Sequence, residues 1–360
     1  MAGAGIRPAA LIRFGIAVAL SACTVSPATA PPAASNLPPS ATAVRPTSSP
    51  TATKVPSATP RPRPERVLIL SLDGLRPDAL DPDRTPAIVA LAESGAASLE
   101  AQTILPSVTL PAHGSMLSGY DVEAHGLTWN DYIPANGFIR TPTLFSAAHD
   151  AGLHTEMVVS KEKLVQIASP GSVDEFTYVP GGDFAVADQA ALAIADGFDV
   201  LFVHFPGPDT AGHQGGWMSS LYFGTVAHTD EGVARILAAL EAAGLRHGTL
   251  ILLTSDHGGR GTSHGSSEPE VMTIPWIIAG PGVVPGLRLT EPVVIYDTAA
   301  TAAWALGLSL PDDADGRPVL EAFGGLSART GRELAASEPA PKVPFPALGL
   351  GGRVKAAASN

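Results

Sequence analysis

Three largely apolar runs in this chain each lead into side chains able to bind a cation. Val67-Leu68-Ile69-Leu70-Ser71-Leu72 leads into Asp73-Gly74, and Val200-Leu201-Phe202-Val203-His204-Phe205 into Asp209-x-x-x-His213. Leu250-Ile251-Leu252-Leu253-Thr254-Ser255 leads into Asp256-His257-Gly258-Gly259. Val-, Ile- and Leu-rich runs without polar alternation suit strands buried on both faces, as in a parallel sheet. Such sheets carry helices on both sides and place their sites beyond the carboxyl ends of the strands. Carboxylates and imidazoles collected at one sheet edge predict a metal centre there, with the glycines allowing other groups to approach closely.

Between these runs the pattern alternates. Helices are expected near Thr85–Ser94, Phe184–Ala195, Ser219–Ala243 and Asp297–Leu306, and further strands at His154–Val159 and Trp276–Ala279. The fold class that follows is α/β, a mostly parallel central sheet with helices on both faces. The catalytic body is expected over residues 65–325. Ahead of it, residues 1–22 read as an export signal: Arg7 and Arg13 precede and flank a short apolar stretch ending in Leu20-Ser21-Ala22-Cys23. That ending resembles a bacterial lipobox, so Cys23 is expected to carry lipid and anchor the chain to a membrane; an ordinary signal peptide containing a cysteine is the plainer alternative. Residues 23–64 are Pro, Ala, Ser and Thr with scattered basic residues, the composition of an extended tether, and residues 326–360 read as a loose tail.

Cys23 is the only cysteine of the 360 residues, so a metal site in the body must use His, Asp, Glu or hydroxyl ligands. A formal net charge of −12 argues against a nucleic-acid-binding surface.

Ile104-Leu105-Pro106-Ser107-Val108-Thr109-Leu110-Pro111-Ala112-His113-Gly114 predicts a helix start, with Thr109 at the N-cap and Pro111 in the first turn. A hydroxyl there faces free backbone N–H groups, which suits an anion site. On this stretch alone a plain helix cap is the simpler reading.

In chain order, Asp73, Thr-x-Pro-x-His at Thr109, Asp-x-x-Gly-His at Asp209–His213, Asp256-His257-Gly258 and His264-Gly265 resemble the alkaline phosphatase superfamily, in its type I phosphodiesterase/nucleotide pyrophosphatase branch. The resemblance runs from Val67 to Asp315-Gly316-Arg317-Pro318. It implies two zinc ions, one held by Asp73, Thr109, Asp256 and His257, the other by Asp209, His213 and His264. The last histidine of nucleotide pyrophosphatases lies much farther downstream; no histidine follows His264 here. The resemblance also makes Thr109 the nucleophile of a phospho-threonine mechanism. Asn130 would donate to a phosphoryl oxygen, although a turn asparagine is the alternative.

A small-molecule phosphodiester or pyrophosphate is the substrate this implies. A phosphonate or phosphomonoester on the same site, or a catalytically silent tethered binding protein, are the alternatives. Sulfatases of this fold place a modified Cys or Ser where Thr109 stands, with a following arginine that is missing here. Leu110 occupies the position where nucleotide pyrophosphatases carry a base-stacking aromatic, leaving Trp129, Tyr132 and Trp217 as candidate platforms. Lys161 and Lys163 follow a strand and could draw in an anion, but a solvated loop is the expectation; no other basic residue is placed to neutralise a monoester dianion, which favours a diester or pyrophosphate over a monoester. His204 is expected to be a satisfied core histidine.

Overall fold

The computed structural model describes residues 63–324. The export signal, Cys23, nearly all of the tether and the tail lie outside the described residues. Eight strands form one sheet: β1 (Arg66–Leu72), β2 (Ala96–Gln102), β3 (Thr155–Val159), β4 (Glu175–Tyr178), β5 (Val200–Phe205), β6 (Thr249–Thr254), β7 (Thr273–Ala279) and β8 (Leu287–Arg288). Their order across the sheet is β4-β3-β5-β1-β6-β7-β2-β8. β7 runs antiparallel to both its neighbours, and the other pairings are parallel.

The three apolar runs are the three central strands. Ser71 of β1 stands opposite His204 of β5 and Thr254 of β6, so the chain leaves all three strands at one level. Every residue of β5 and β6 is buried. Alternate β1 residues serve two cores. Val67 and Ile69 pack with helices Thr109–Ser118, Leu144–Asp150 and Asp297–Leu306. Leu68, Leu70 and Leu72 pack with helices Pro86–Glu93, Asp183–Asp196 and Ser220–Ala242. Burying each such side chain contributes roughly 1.5–3 kcal/mol, which fixes the register on both faces at once.

The expected helices and strands begin and end within three residues of their observed positions, and the helix Asp297–Leu306 matches at both ends. The edges differ more. β2, β4 and β8 had no strong apolar run to announce them. β2 is Ala-Ala-Ser-Leu-Glu-Ala-Gln, held by pairing with β7 across an irregularity between Ser98 and Ala101. Among the described residues no helix is long and apolar enough to cross a membrane.

The helix Thr109–Ser118 corrects one expectation. Val108, extended at φ −134° and ψ 156°, is the N-cap, and Thr109 is the first helical residue. No side chain caps this end, so the Thr109 hydroxyl is not committed to the backbone N–H groups. Pro111 fits because early helical positions have no intrahelical partner for an N–H.

Candidate metal centre

The sheet edge draws Asp73, Asp209, Asp256 and His257 together with almost no solvent access. Asp73, Asp256 and His257 are fully buried and Asp209 is 5% exposed. Backbone bonds fix the turns: Asp73 N–H donates to Phe205 O at 3.0 Å, and Asp209 N–H to Asp73 O at 2.8 Å. Gly74 follows with φ +71°, and a Cβ there would stand 2.9 Å from the Asp209 Cα. A glycine is therefore required for the two strand ends to close. Its N–H donates to Asp256 Oδ1 at 3.1 Å, tying in the third strand.

Two sets of ligand atoms result. In one, His213 Nε2 lies 3.1 Å from His264 Nε2 and 3.3 Å from Asp209 Oδ1, and His264 Nε2 lies 3.5 Å from the same oxygen. In the other, His257 Nε2 lies 3.3 Å from Asp256 Oδ2 and 3.6 Å from Asp73 Oδ1. A tetrahedral shell with Zn–N and Zn–O bonds of about 2.0–2.2 Å puts ligand atoms about 3.3–3.6 Å apart. The carboxylate-to-imidazole spacings of both sets fall in that range, the two Nε2 atoms of the first set sit slightly closer, and Asp209 also groups with Asp73 and His257.

The buried atoms fit a cation as well as the spacings do. Asp73 Oδ1, Asp209 Oδ1, Asp256 Oδ2 and His257 Nε2 are buried and accept or donate no hydrogen bond. Leaving such atoms unsatisfied costs about 1–3 kcal/mol each, more when charged, so four in one place call for a common positive partner. The imidazoles are set for the same role. Nδ1 of His213 donates to Thr262 O, that of His264 to Ser107 O and that of His257 to Gly258 O, at 3.0, 3.1 and 2.8 Å. A carbonyl only accepts, so each Nδ1 carries the proton and each Nε2 presents a lone pair. Burial, then the neighbouring His257, pushes His264 below its ordinary pKa, keeping it neutral.

Thr109 is 1% exposed, and its hydroxyl oxygen lies 3.2 Å from Lys161 Nζ. The same ammonium lies 2.7 Å from Asp73 Oδ2 and 2.7 Å from Asp209 Oδ2. Lys161 is thus in the middle of the site, and the solvated-loop expectation is wrong. Burial pulls its pKa down, but Asp73, Asp209 and Asp256 more than offset this and hold it above the ordinary lysine value. Burial likewise works to raise Asp73, yet Lys161 and then His204 hold that carboxyl well below the usual range.

Lys163 Nζ donates to Asn130 Oδ1 at 2.9 Å, and Leu110 N–H donates to the same oxygen at 2.9 Å. With its carbonyl doubly engaged, Asn130 has its NH₂ left to offer an incoming oxygen. Lys163 sits below its ordinary pKa through burial and the proximity of Lys161. The expectation that no extra cations stand beside Thr109 fails on both lysines. The signal available was their place directly after β3, which lies next to β5 in the sheet. That adjacency is a property of strand order, invisible along the chain.

The aromatic candidates separate. Trp217 is 7% exposed, and its Nε1 donates to Gly74 O at 2.8 Å. Its ring stands edge-on to His213, centroids 5.2 Å apart, so it props the site from behind and offers no substrate platform. Trp129 donates through Nε1 to Gln166 Oε1 at 3.0 Å. Tyr132 is 42% exposed.

The family model of type I phosphodiesterase/nucleotide pyrophosphatase matches residues 67–272. The chain belongs to that family. Among curated relatives, steryl-sulfatase of Rattus norvegicus is 33% identical over 154 residues, 37% of this chain and 26% of that protein. GPI ethanolamine phosphate transferase 1 of Candida glabrata is 23% identical over 277 residues, 65% of this chain and 29% of that protein. The chain thus spans less than a third of the length of these relatives. Its fold is shared with an inactive variant of murine ectonucleotide pyrophosphatase/phosphodiesterase 5 in complex with AMP. That likeness has a TM-score of 0.61 at 15% identity and covers 72% of this chain and 98% of that one. A phosphonate monoester hydrolase from Silicibacter pomeroyi aligns with TM-score 0.60 at 16% identity, covering 74% and 78%.

Proposed function

We propose that this family member hydrolyses phosphoesters through a phospho-Thr109 intermediate at a site for two divalent cations. By its donor set the cation is zinc: neutral imidazole nitrogens and carboxylates, without thiolate. Asp73, Thr109, Asp256 and His257 hold one ion; Asp209, His213 and His264 hold the other. The observation that carries this reading is the group of four buried, unpartnered ligand atoms on the strand ends, beside a threonine hydroxyl that caps no helix and touches the Lys161 ammonium. When bound, the ions supply Lewis acidity toward the attacking and leaving oxygens and lower the pKa of hydroxyl or water.

The chain's own residues do the rest. Thr109 gives its hydroxyl proton to solvent and Oγ1 attacks phosphorus; the bond to the ester oxygen breaks, and the alcohol or phosphate fragment departs with that electron pair and takes a proton from solvent. Water then attacks the phosphoryl group from the opposite side, freeing Thr109 and the product. Asn130 donates its NH₂ to a non-bridging oxygen as charge gathers there. The Lys161 ammonium favours the deprotonated form of Thr109 Oγ1, which it touches.

A phosphodiester or pyrophosphate follows from the family, and a second reading is favoured by one observation. Lys161 and Lys163 add two cations beside Thr109 and Asn130. A monoester or phosphonate dianion gains more from them than a diester monoanion does. The expected lack of cations beside Thr109, which favours a diester, is therefore not met. Export and lipid anchoring through Cys23 complete the proposal, placing the site on an envelope surface.

The decisive experiment is Thr109→Ala with zinc analysis. Turnover of bis(p-nitrophenyl) phosphate and p-nitrophenyl phosphate should vanish while the body keeps its fold and at least the zinc of the Asp209–His213–His264 set. Turnover that persists means another nucleophile acts. A folded wild-type protein that takes up no divalent metal sinks the two-cation site.

A further inference from the structure

His204 is fully buried on β5 and belongs to neither ligand set. Its Nε2 lies 2.8 Å from Asp73 Oδ2, and its Nδ1 lies 2.7 Å from the Ser160 hydroxyl. A carboxylate oxygen only accepts, so Nε2 carries a proton in either charge state of the ring. With Nε2 protonated, neutral imidazole accepts from Ser160 through Nδ1, and both ring nitrogens are satisfied.

The consequence falls on Asp73. Its Oδ2 is held by His204 and by Lys161, whereas its Oδ1 is buried with no partner and faces His257 Nε2 at 3.6 Å. One oxygen is anchored and the other is presented. Lys161 can swing on its four-carbon stem, but the His204 ring is fixed. It stands between Ser71 of β1 and Val159 of β3, edge-on to the His113 ring with centroids 5.0 Å apart. Ser160, the other partner of His204, directly precedes Lys161. A single ring thus joins the carboxylate of one strand end to the start of the lysine-bearing loop.

We propose that His204 is a positioning residue that orients Asp73, with Oδ1 turned to the cation, and pins Ser160 at the root of the Lys161–Lys163 loop. This rests on the reading of the Asp and His side chains as a cation site. Outer partners of this kind are worth about 10–100-fold in metal affinity.

The test measures zinc affinity of the purified full chain by competition with a chromophoric chelator. His204→Phe keeps the ring volume and removes both hydrogen bonds; His204→Gln keeps an N–H donor. Circular dichroism checks folding in each case. His204→Phe should weaken one of two zinc ions about 10–100-fold, with the other changed less than about twofold, and His204→Gln should recover part of the loss. If His204→Phe fails to fold, Ser160→Ala serves: with Nδ1 released, the same ion should weaken by about 3–10-fold, a smaller effect of the same kind. Two zinc ions bound with wild-type affinity in the folded variants would overturn the assignment and leave the metal centre standing. A wild-type chain that binds no zinc would overturn both.

Discussion

Removing Lys163 tests which phosphoester the site is built for. Lys163→Met keeps the aliphatic stem and deletes the charge without touching Asp73 or Asp209, which Lys161 contacts instead. The Lys163 ammonium is 2.9 Å from Asn130 Oδ1. Passing across the amide to an oxygen that Asn130 Nδ2 would serve puts the charge about 7 Å from that oxygen. At an effective dielectric of about 20, that separation is worth about 2 kcal/mol per unit of negative charge. Lys163 is part-exposed, so screening reduces this toward about 1 kcal/mol. A monoester dianion carries one more charge than a diester. Lys163→Met should therefore lower kcat/KM for p-nitrophenyl phosphate about 5- to 50-fold more than for bis(p-nitrophenyl) phosphate, at a pH above the monoester's second ionisation. Raising the salt concentration should shrink the difference. Equal losses on the two substrates would refute the reasoning, because a lysine that distinguishes neither charge state is only holding Asn130 in place.

Two further outcomes are expected. His264→Ala should leave a folded protein that retains one zinc of two by elemental analysis, with turnover reduced at least about 100-fold; two tightly held ions would remove His264 from the site. Glu156, 3% exposed on β3, is raised to about 7 by burial and then by Glu175. A carboxyl raised on folding contributes stability below its unfolded value of 4.5 and loses it as pH climbs through about 7. Glu156→Gln should accordingly stabilise the body by up to about 3 kcal/mol at pH 8 relative to wild type, and by much less at pH 4, in urea titrations. The same gain at both pH values would mean that packing, and not ionisation, is responsible.

Much of the fold and of the ligand arrangement was readable because both depend on local patterns. Val67–Leu72, Val200–Phe205 and Leu250–Thr254 are apolar at all but one position each (Ser71, His204 and Thr254), and each is followed within a few residues by its acidic side chain. The strands without that pattern escaped: Ala96–Gln102 owes its extended state to β7, and Glu175–Tyr178 to β3. Propensity is weak in such segments, and pairing decides.

The site residues that escaped share one property, which is that their role depends on strand order. Lys161 follows β3 and His204 sits on β5, 43 positions along, yet β3, β5 and β1 are successive neighbours in the sheet. Only that order puts both side chains on Asp73. Read along the chain, Lys161 is a lysine after a strand and His204 an imidazole inside one, and the bland reading of each is sound. Trp217 shows the reverse error. Its loop position and large ring make it a candidate substrate platform, but the glycines at 212 and 259 leave room for the indole to sink behind His213 and bond Gly74 O. A motif names the atoms that meet the cation. The groups that orient those atoms, and set the charge a substrate meets, are supplied by whichever strands the sheet places alongside.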